Sequence, residues 1–160
     1  MQHKLCALLL TAALLLCGCS PAARARDWAG RAADETWQAR YRIVFHQKDK
    51  DVEMTVQESR GETLVLDITM PGGSLRLEYS GDCMLINLDG GGLEWQEIPY
   101  QIPYYTLSEL IRQINSAPQL DTQGDSAAIH GYCLKVKAGA PVEAAYLSEW
   151  TLYVEEFNWK

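Results

Sequence analysis

Trp37-Gln-Ala-Arg-Tyr41-Arg-Ile-Val-Phe45-His46 decides the fold. Trp37, Ala39, Tyr41, Ile43 and Phe45 alternate with Gln38, Arg40, Arg42, Val44 and His46. A period of two is that of a strand with one buried face. Outward from it the rhythm repeats. After the polar turn Lys48-Asp49-Lys50-Asp51, Val52, Met54 and Val56 alternate with Glu53, Thr55 and Gln57, as a hairpin partner would. Arg60-Gly61 turns the chain, and Leu64, Leu66, Ile68 and Met70 alternate with Val65, Asp67 and Thr69. Pro71-Gly72-Gly73 is a breaker. Leu75, Leu77 and Tyr79 then alternate with Arg76 and Glu78, Ser80-Gly81-Asp82 turns again, and Cys83 to Leu88 is a further strand closed by Asp89-Gly90-Gly91-Gly92. Strands joined by tight turns pair antiparallel, so this stretch reads as a meander.

Beyond Gly92 the texture changes. Two prolines, Pro99 and Pro103, stand among large apolar groups from Ile98 to Tyr105. Proline fits poorly in a central strand, so the segment reads as a packed loop that covers the sheet. Thr106-Leu-Ser-Glu109 has the form of a capping box. Leu107, Leu110, Ile111 and Ile114 follow at helical spacing, and Asn115 and Pro118 end the run. Asp121 to Asp125 reads as a polar loop. Ile129 to Lys137 and Glu149 to Phe157 read as the last two strands, the latter with Trp150, Leu152 and Val154 on one face and Tyr153 and Phe157 on the other. About seven strands and one good helix predict an α+β, mainly β domain over residues 35–160. A sheet of this size twists and curls. The expectation is a curved antiparallel half-barrel with a short helix packed on or in its concave face.

The amino terminus has a different character. His3 and Lys4 are followed by Leu5 to Leu16, 12 residues interrupted only by Thr11. That run is too short to cross a hydrocarbon core of about 30 Å as a helix, and it has the length of a signal-peptide apolar region. It ends at Leu16-Cys17-Gly18-Cys19, which resembles the lipobox of bacterial lipoproteins, although Cys17 stands where a small Ala, Ser or Thr is commoner. The resemblance implies a leader over 1–18, diacylglyceryl modification of Cys19 and cleavage just before it. It also implies a chain anchored to the extracytoplasmic face of a cell membrane. An ordinary signal peptide with incidental cysteines is the plainer alternative. Residues 19–34, rich in Ala, Arg and Pro at their start, read as a tether, with a short helix near Trp28 to Asp34.

Removing residues 1–18 leaves 142, enough for one domain with a real core. Lys4 is the only charge lost with them, so 13 Lys+Arg face 21 Asp+Glu, a balance of −8. So acidic a domain has no electrostatic footprint for nucleic acid and no attraction to an anionic bilayer. Any attachment to a membrane must come from the lipid. Cys83 and Cys133 are compatible with a disulfide or with two buried free thiols, and spacing alone leaves both open.

The middle of the chain also resembles a family. A strand ending in Pro71-Gly72-Gly73, the run Ser74-Leu75-Arg76-Leu77-Glu78-Tyr79, the strand Asp82 to Leu88 ending in Asp89-Gly90 and the helix Leu107 to Ile114 look like the lipoprotein-carrier (Lol-type) superfamily. The resemblance covers about half the domain and rests on hydrophobic rhythm and turns. It implies a barrel plugged by a helix, acyl-chain binding or an envelope role, and no catalytic residues. The carrier members are soluble, whereas the likeness of Leu16-Cys17-Gly18-Cys19 to a lipobox implies lipidation, which favours the anchored members.

No set of side chains points to catalysis. His46 and His130 lack the spacing of a zinc site, alone or with Cys83 and Cys133. Glu155 and Glu156 are neighbours on a strand and should point to opposite faces, unlike a hydrolase pair, and Glu94 and Glu97 read as solvated charge. Asp89-Gly-Gly-Gly lacks the Lys-Ser/Thr of a phosphate loop, and no cofactor is implied. Five Trp and eight Tyr against two Phe favour side chains that join an apolar body to a wet rim. Ile98, Tyr100, Ile102, Tyr104 and Tyr105 are therefore candidates for the lining of a groove, or else they seal the open end of the sheet. Two functions follow as expectations. One is a non-catalytic, membrane-anchored lipoprotein with an apolar cavity for an acyl chain or similar ligand. The other is a structural lipoprotein presenting its sheet to an envelope or spore protein.

Overall fold

The computed structural model describes residues 20–81, 83–88, 91–96 and 102–160. Helix α1 (Pro21–Asp34) comes first, followed by strands β1 (Trp37–His46), β2 (Asp51–Arg60), β3 (Leu64–Met70), β4 (Gly73–Ser80), β5 (Cys83–Leu88) and β6 (Gly91–Gln96). Helix α2 (Leu107–Ser116) leads to β7 (Asp121–Gln123), β8 (Ser126–Ile129), β9 (Tyr132–Lys137), β10 (Ala140–Tyr146) and β11 (Trp150–Trp159). The strands form one antiparallel sheet in the order β6-β5-β4-β3-β2-β1-β11-β10-β9-β8-β7. Every neighbour is consecutive in the chain except one pair. The first strand and the last, β1 and β11, meet at the centre, from Trp37 against Trp159 to Phe45 against Trp150. The chain meanders outward from the centre to β6, passes through α2, restarts at the opposite edge with β7 and meanders back. Since β6 and β7 do not pair, the sheet stays open.

The expected mainly β fold with a helix against the sheet is present, its alternating rhythm from β1 to β4 is as the sequence predicts, and β5 lies where a further strand was expected. The second half holds more strands than predicted. The run Ile129 to Lys137 is not one strand: Ile129 ends β8, His130 and Gly131 adopt φ of 45° and 89° and make a two-residue hairpin turn, and β9 follows, while the stretch expected as a loop, Asp121 to Asp125, contains β7. Ala138 and Gly139, at φ 49° and 76°, make the same turn between Lys137 and Ala140. Mirror-image turns of this kind match the twist of the flanking strands, and both central residues must be left-handed.

A bulge in β11 corrects the reading of that strand. Arg40 pairs with Glu156 but Tyr41 with Val154, so Glu155 is an extra residue. The phase of the strand therefore flips once. Phe157 joins Trp150, Leu152 and Val154 on the inner face, stacks on Trp37 at 5.4 Å and meets the edge of Trp28 at 6.2 Å. The same bulge brings Glu155 and Glu156 onto one guanidinium, 3.1 and 2.7 Å from Arg40, rather than onto opposite faces.

The short helix expected near Trp28 to Asp34 is present but begins at Pro21, so from Ser20 on the expected tether is folded. Ser20 caps α1 through its side chain, which accepts from Ala23 N at 3.1 Å, and Pro21 fills the first turn, where its missing N–H costs nothing. Ala25, Trp28, Ala29 and Ala32 recur at helical spacing and are buried, so the whole helix belongs to the core. Arg26 donates to Ile114 O and Ala117 O at the end of α2 (3.3 and 2.9 Å), and Asn115 Nδ2 donates to Ala29 O at 3.2 Å.

Ala138 sits in a left-handed conformation that costs a residue with a Cβ roughly 1 kcal/mol, and Asn tolerates it better. Ala138→Asn, which creates an Asn-Gly turn, should raise the unfolding free energy by about 0.5–1 kcal/mol, read from the urea midpoint at unchanged slope.

Candidate functional site

The register of the first meander sets the inner side chains in rows across the sheet. One row runs Tyr41, Val56, Ile68, Leu75, Leu88. The next runs Ala39, Glu58, Leu66, Leu77, Ile86, and a third ends at Leu64, Tyr79 and Met84. Burial falls along the first row: Val56 and Ile68 are closed off, Leu75 is half-buried and Leu88 is 61% exposed. Met70, near the end of the same strands, is also exposed, and Met54 is half-buried. The concave face thus carries an apolar strip at the β3–β5 side, away from α1, that the described residues do not cover.

Glu58 interrupts the apolar phase of β2 at the middle of the second row. It is fully buried and no cation faces it among the described residues. Its Oε2 accepts from Tyr41 Oη at 2.6 Å and from Leu107 N at 3.0 Å, and its Oε1 accepts from Ser108 N at 2.9 Å. These are the first backbone donors of α2, which have no partner within the helix. Thr106 takes the next, accepting from Glu109 N at 3.2 Å. Thr106 therefore caps as the sequence predicts. Glu109, however, turns away from the cap to Arg112 and Gln113 (2.6 and 2.7 Å), so the box is only half formed. Burial raises the Glu58 carboxyl above its ordinary range, and the hydrogen bonds to it act the other way. Burial likewise lifts the Tyr41 hydroxyl well above its usual value, with the Glu58 charge adding to it. Sequence reasoning missed this pair. Its signal was a charged residue two positions beyond Val56, in phase with Val52 and Val56.

The predicted groove residues divide. Ile98 and Tyr100 lie outside the described residues. Ile102 and Tyr105 pack against the core, Tyr105 edge-on to Phe45 at 5.5 Å. Tyr104 is 43% exposed and touches Tyr105, Tyr146 and Trp150 at 5.6, 5.9 and 6.2 Å. Tyr132 donates to Tyr104 O at 3.2 Å, and its hydroxyl is pushed up to about 12 by burial, with the Glu109 charge adding to it. The described aromatics thus seal the end of the sheet where β1 stops and β11 starts. Beside them a cleft of about 420 Å³ opens around the β8–β9 turn, lined by Ile129, His130, Tyr132, Cys133 and Leu147 among others. Leu147 is 66% exposed and left-handed at φ 48°.

Cys133 is a free thiol whose Sγ donates to Gln123 Oε1 at 3.3 Å. β4, β3, β2, β1, β11 and β10 stand between the strands of Cys83 and Cys133 in the sheet. The bridge between them is not made. His46 lies at the end of β1 with its nitrogens on Asp51 and Thr151 (3.3 and 3.0 Å), and His130 reaches Gln113 at 3.4 Å. Among the described residues no group of three or more His, Cys, Asp or Glu is gathered as a metal site. The convex face is wet and carries cross-strand ion pairs, such as Arg76 bonded to both Asp67 oxygens at 2.9 Å. No protein-family model matches this chain, and no curated protein matches it.

Glu58→Ala removes the acceptor of three buried donors and should cost roughly 3–5 kcal/mol, while Tyr41→Phe should cost about 1–2 kcal/mol. Both are read by urea denaturation. A carboxyl whose folded pKa is raised binds its proton more tightly in the native state. Its contribution is present below the ordinary carboxyl range and is lost as pH rises through the raised folded value. The stability difference between wild type and Glu58→Gln should therefore shrink from pH 4 to pH 7. A difference that grows over that range would contradict the direction.

Proposed function

We propose that this chain is a non-catalytic, membrane-anchored extracytoplasmic lipoprotein, cleaved before Cys19 and lipidated on it. Its concave wall holds an acyl chain or another lipophilic ligand. The anchoring half of the reading rests on Leu5 to Leu16 followed by Leu16-Cys17-Gly18-Cys19. No helix among the described residues is long and apolar enough to cross a membrane. Two acyl chains on one cysteine hold a protein stably, where one holds it marginally.

The ligand half rests on the fall in burial from Ile68 through Leu75 to Leu88, with Met70 and Met54 beside it. Contiguous exposed apolar surface of this kind marks a binding site more often than chance, and thioethers and leucines suit a flexible hydrocarbon. Each methylene buried there contributes about 0.8 kcal/mol, so a chain of several methylenes would bind usefully. A second reading, an interaction lipoprotein, draws on the other end of the sheet. There Leu147 and Tyr104 expose apolar groups beside the 420 Å³ cleft, and an envelope protein would dock on them.

Protein produced with its own leader in bacterial cells and examined by mass spectrometry should carry a diacylglyceryl group on Cys19. Extraction with organic solvent should release a lipophilic molecule near one per chain, and Leu88→Asp should lower that yield several-fold. A lipidated protein with nothing to extract removes the ligand half, and an unmodified Cys19 removes the anchored reading.

A further inference from the structure

The first turn of α1 determines how a chain anchored at Cys19 would stand on its membrane. Ser20 is one peptide from Cys19, about 3.8 Å between Cα atoms. Ser20 already belongs to the folded body: its Oγ accepts from Ala23 N at 3.1 Å and its carbonyl from Arg24 N at 3.0 Å. The next residues are clamped from two sides. Arg24 Nε donates to Val136 O of β9 at 3.3 Å, Ala25 is fully buried, and Arg26 holds the carbonyl end of α2. Freeing even two turns as a spacer would break all of these bonds and expose Ala25.

The location of that turn follows from the same contacts. Val136 is the last residue but one of β9, and Ala138 lies two residues on, about 7 Å further along. β10 then leads away from this end for seven residues, roughly 20–23 Å, to Tyr146 and Leu147. α1 itself passes from the end of β9 to the start of β1, where Trp37 Nε1 donates to Ala32 O at 2.9 Å. One end of the sheet therefore carries α1, the Ala138-Gly139 turn and the anchor point, and the opposite end carries His130, Tyr104 and Leu147.

Resting on the reading that Cys19 is lipidated, we propose that the domain sits directly on the bilayer in a fixed orientation, without a spacer. The α1 and β9–β10 end faces the headgroups, and the Tyr104–Leu147 end, with its 420 Å³ cleft, faces away from them. A headgroup layer is about 5–7 Å deep on each side, so Ala138 lies within its reach and Leu147 does not.

The test uses the full chain, lipidated in cells and reconstituted into phosphatidylcholine vesicles that contain a headgroup-attached quencher. A fluorophore is placed on Ala138→Cys or Leu147→Cys in a Cys83→Ser, Cys133→Ser background, with Lys137→Cys and Ser148→Cys as a second pair. With some 20 Å of strand between the positions, quenching at 138 should be at least about three times that at 147. Twenty Gly/Ser residues inserted after Cys19 should abolish the difference by letting the domain tumble. Equal quenching at both positions before insertion, or stronger quenching at 147, overturns the orientation while leaving the anchor intact. Mass spectrometry of the same samples showing an unmodified Cys19 overturns the anchored reading itself, and the orientation with it.

Discussion

One carboxylate holds the crossing of this fold in place. The meander ends at β6 on one edge, and the next strand, β7, lies on the other, so the chain must traverse the concave face between them. α2 makes part of that traverse. It has only ten residues, too few to be stable alone, and its position has to come from tertiary contacts. Leu107, Leu110, Ile111 and Ile114 supply the apolar part, but apolar packing is non-directional. The direction comes from Glu58, which takes the first two backbone donors of the helix while Tyr41 fills its remaining need. A negative group at the start of a helix also meets the favourable end of its dipole. A buried charge normally demands a cation. Here three hydrogen bonds and a helix terminus substitute for one, and the raised carboxyl pKa records what is left unrepaid.

Much of the first half was legible. Alternation with β-branched and aromatic residues, separated by Gly and charged turns, is a direct consequence of a pleat with one wet face, and β1 to β4 obey it. Thr106 was legible because a capping hydroxyl leaves a fixed offset to its helix. What could not be read has particular causes. β10 is Ala-Pro-Val-Glu-Ala-Ala-Tyr, poor in strand formers and placed by its neighbours rather than its own propensity. The β8–β9 turn is His130-Gly131 rather than the Asn-Gly or Asp-Gly that marks such hairpins most strongly, so the end of β8 and the whole of β9 read as one strand. The bulge at Glu155 inverts a face without altering composition, and no periodicity count registers one extra residue. Of α1, the stretch from Trp28 to Asp34 was legible as a helix, while its start was read as a tether although Ser20-Pro21 has the form of a cap and a proline-tolerant first turn.

The candidate site was the least legible part, and for a physical reason. Exposure of Leu88 and closure of Val56 depend on where each strand lies in the row, and both residues look alike in sequence. The aromatic segment from Ile102 to Tyr105 was identifiable as unusual, but whether it lines or seals was a matter of three-dimensional neighbours. Tyr104, edge-on to Tyr105 and Tyr146 and tilted against Trp150, answers for its own position. The extra carboxylates proved to be partners of Arg40 rather than a pair across a cleft.

The pairing of β1 with β11 has a consequence for the order in which the molecule can come to exist. The two strands at the centre of the sheet are the first and the last to be synthesised, so one flank of β1 waits bare while every other strand is made. Trp37 and Trp159 are neighbours across that seam and almost the whole length of the domain apart along the chain. Contacts so distant in sequence are slow to form, because loop closure must be completed before they contribute. A chain emerging residue by residue can assemble two half-sheets early, but the seam between them closes only when β11 is available. Until β11 is made, the nascent domain is two half-sheets whose bare edges invite other strands, and its native sheet forms only when β11 takes its place between them.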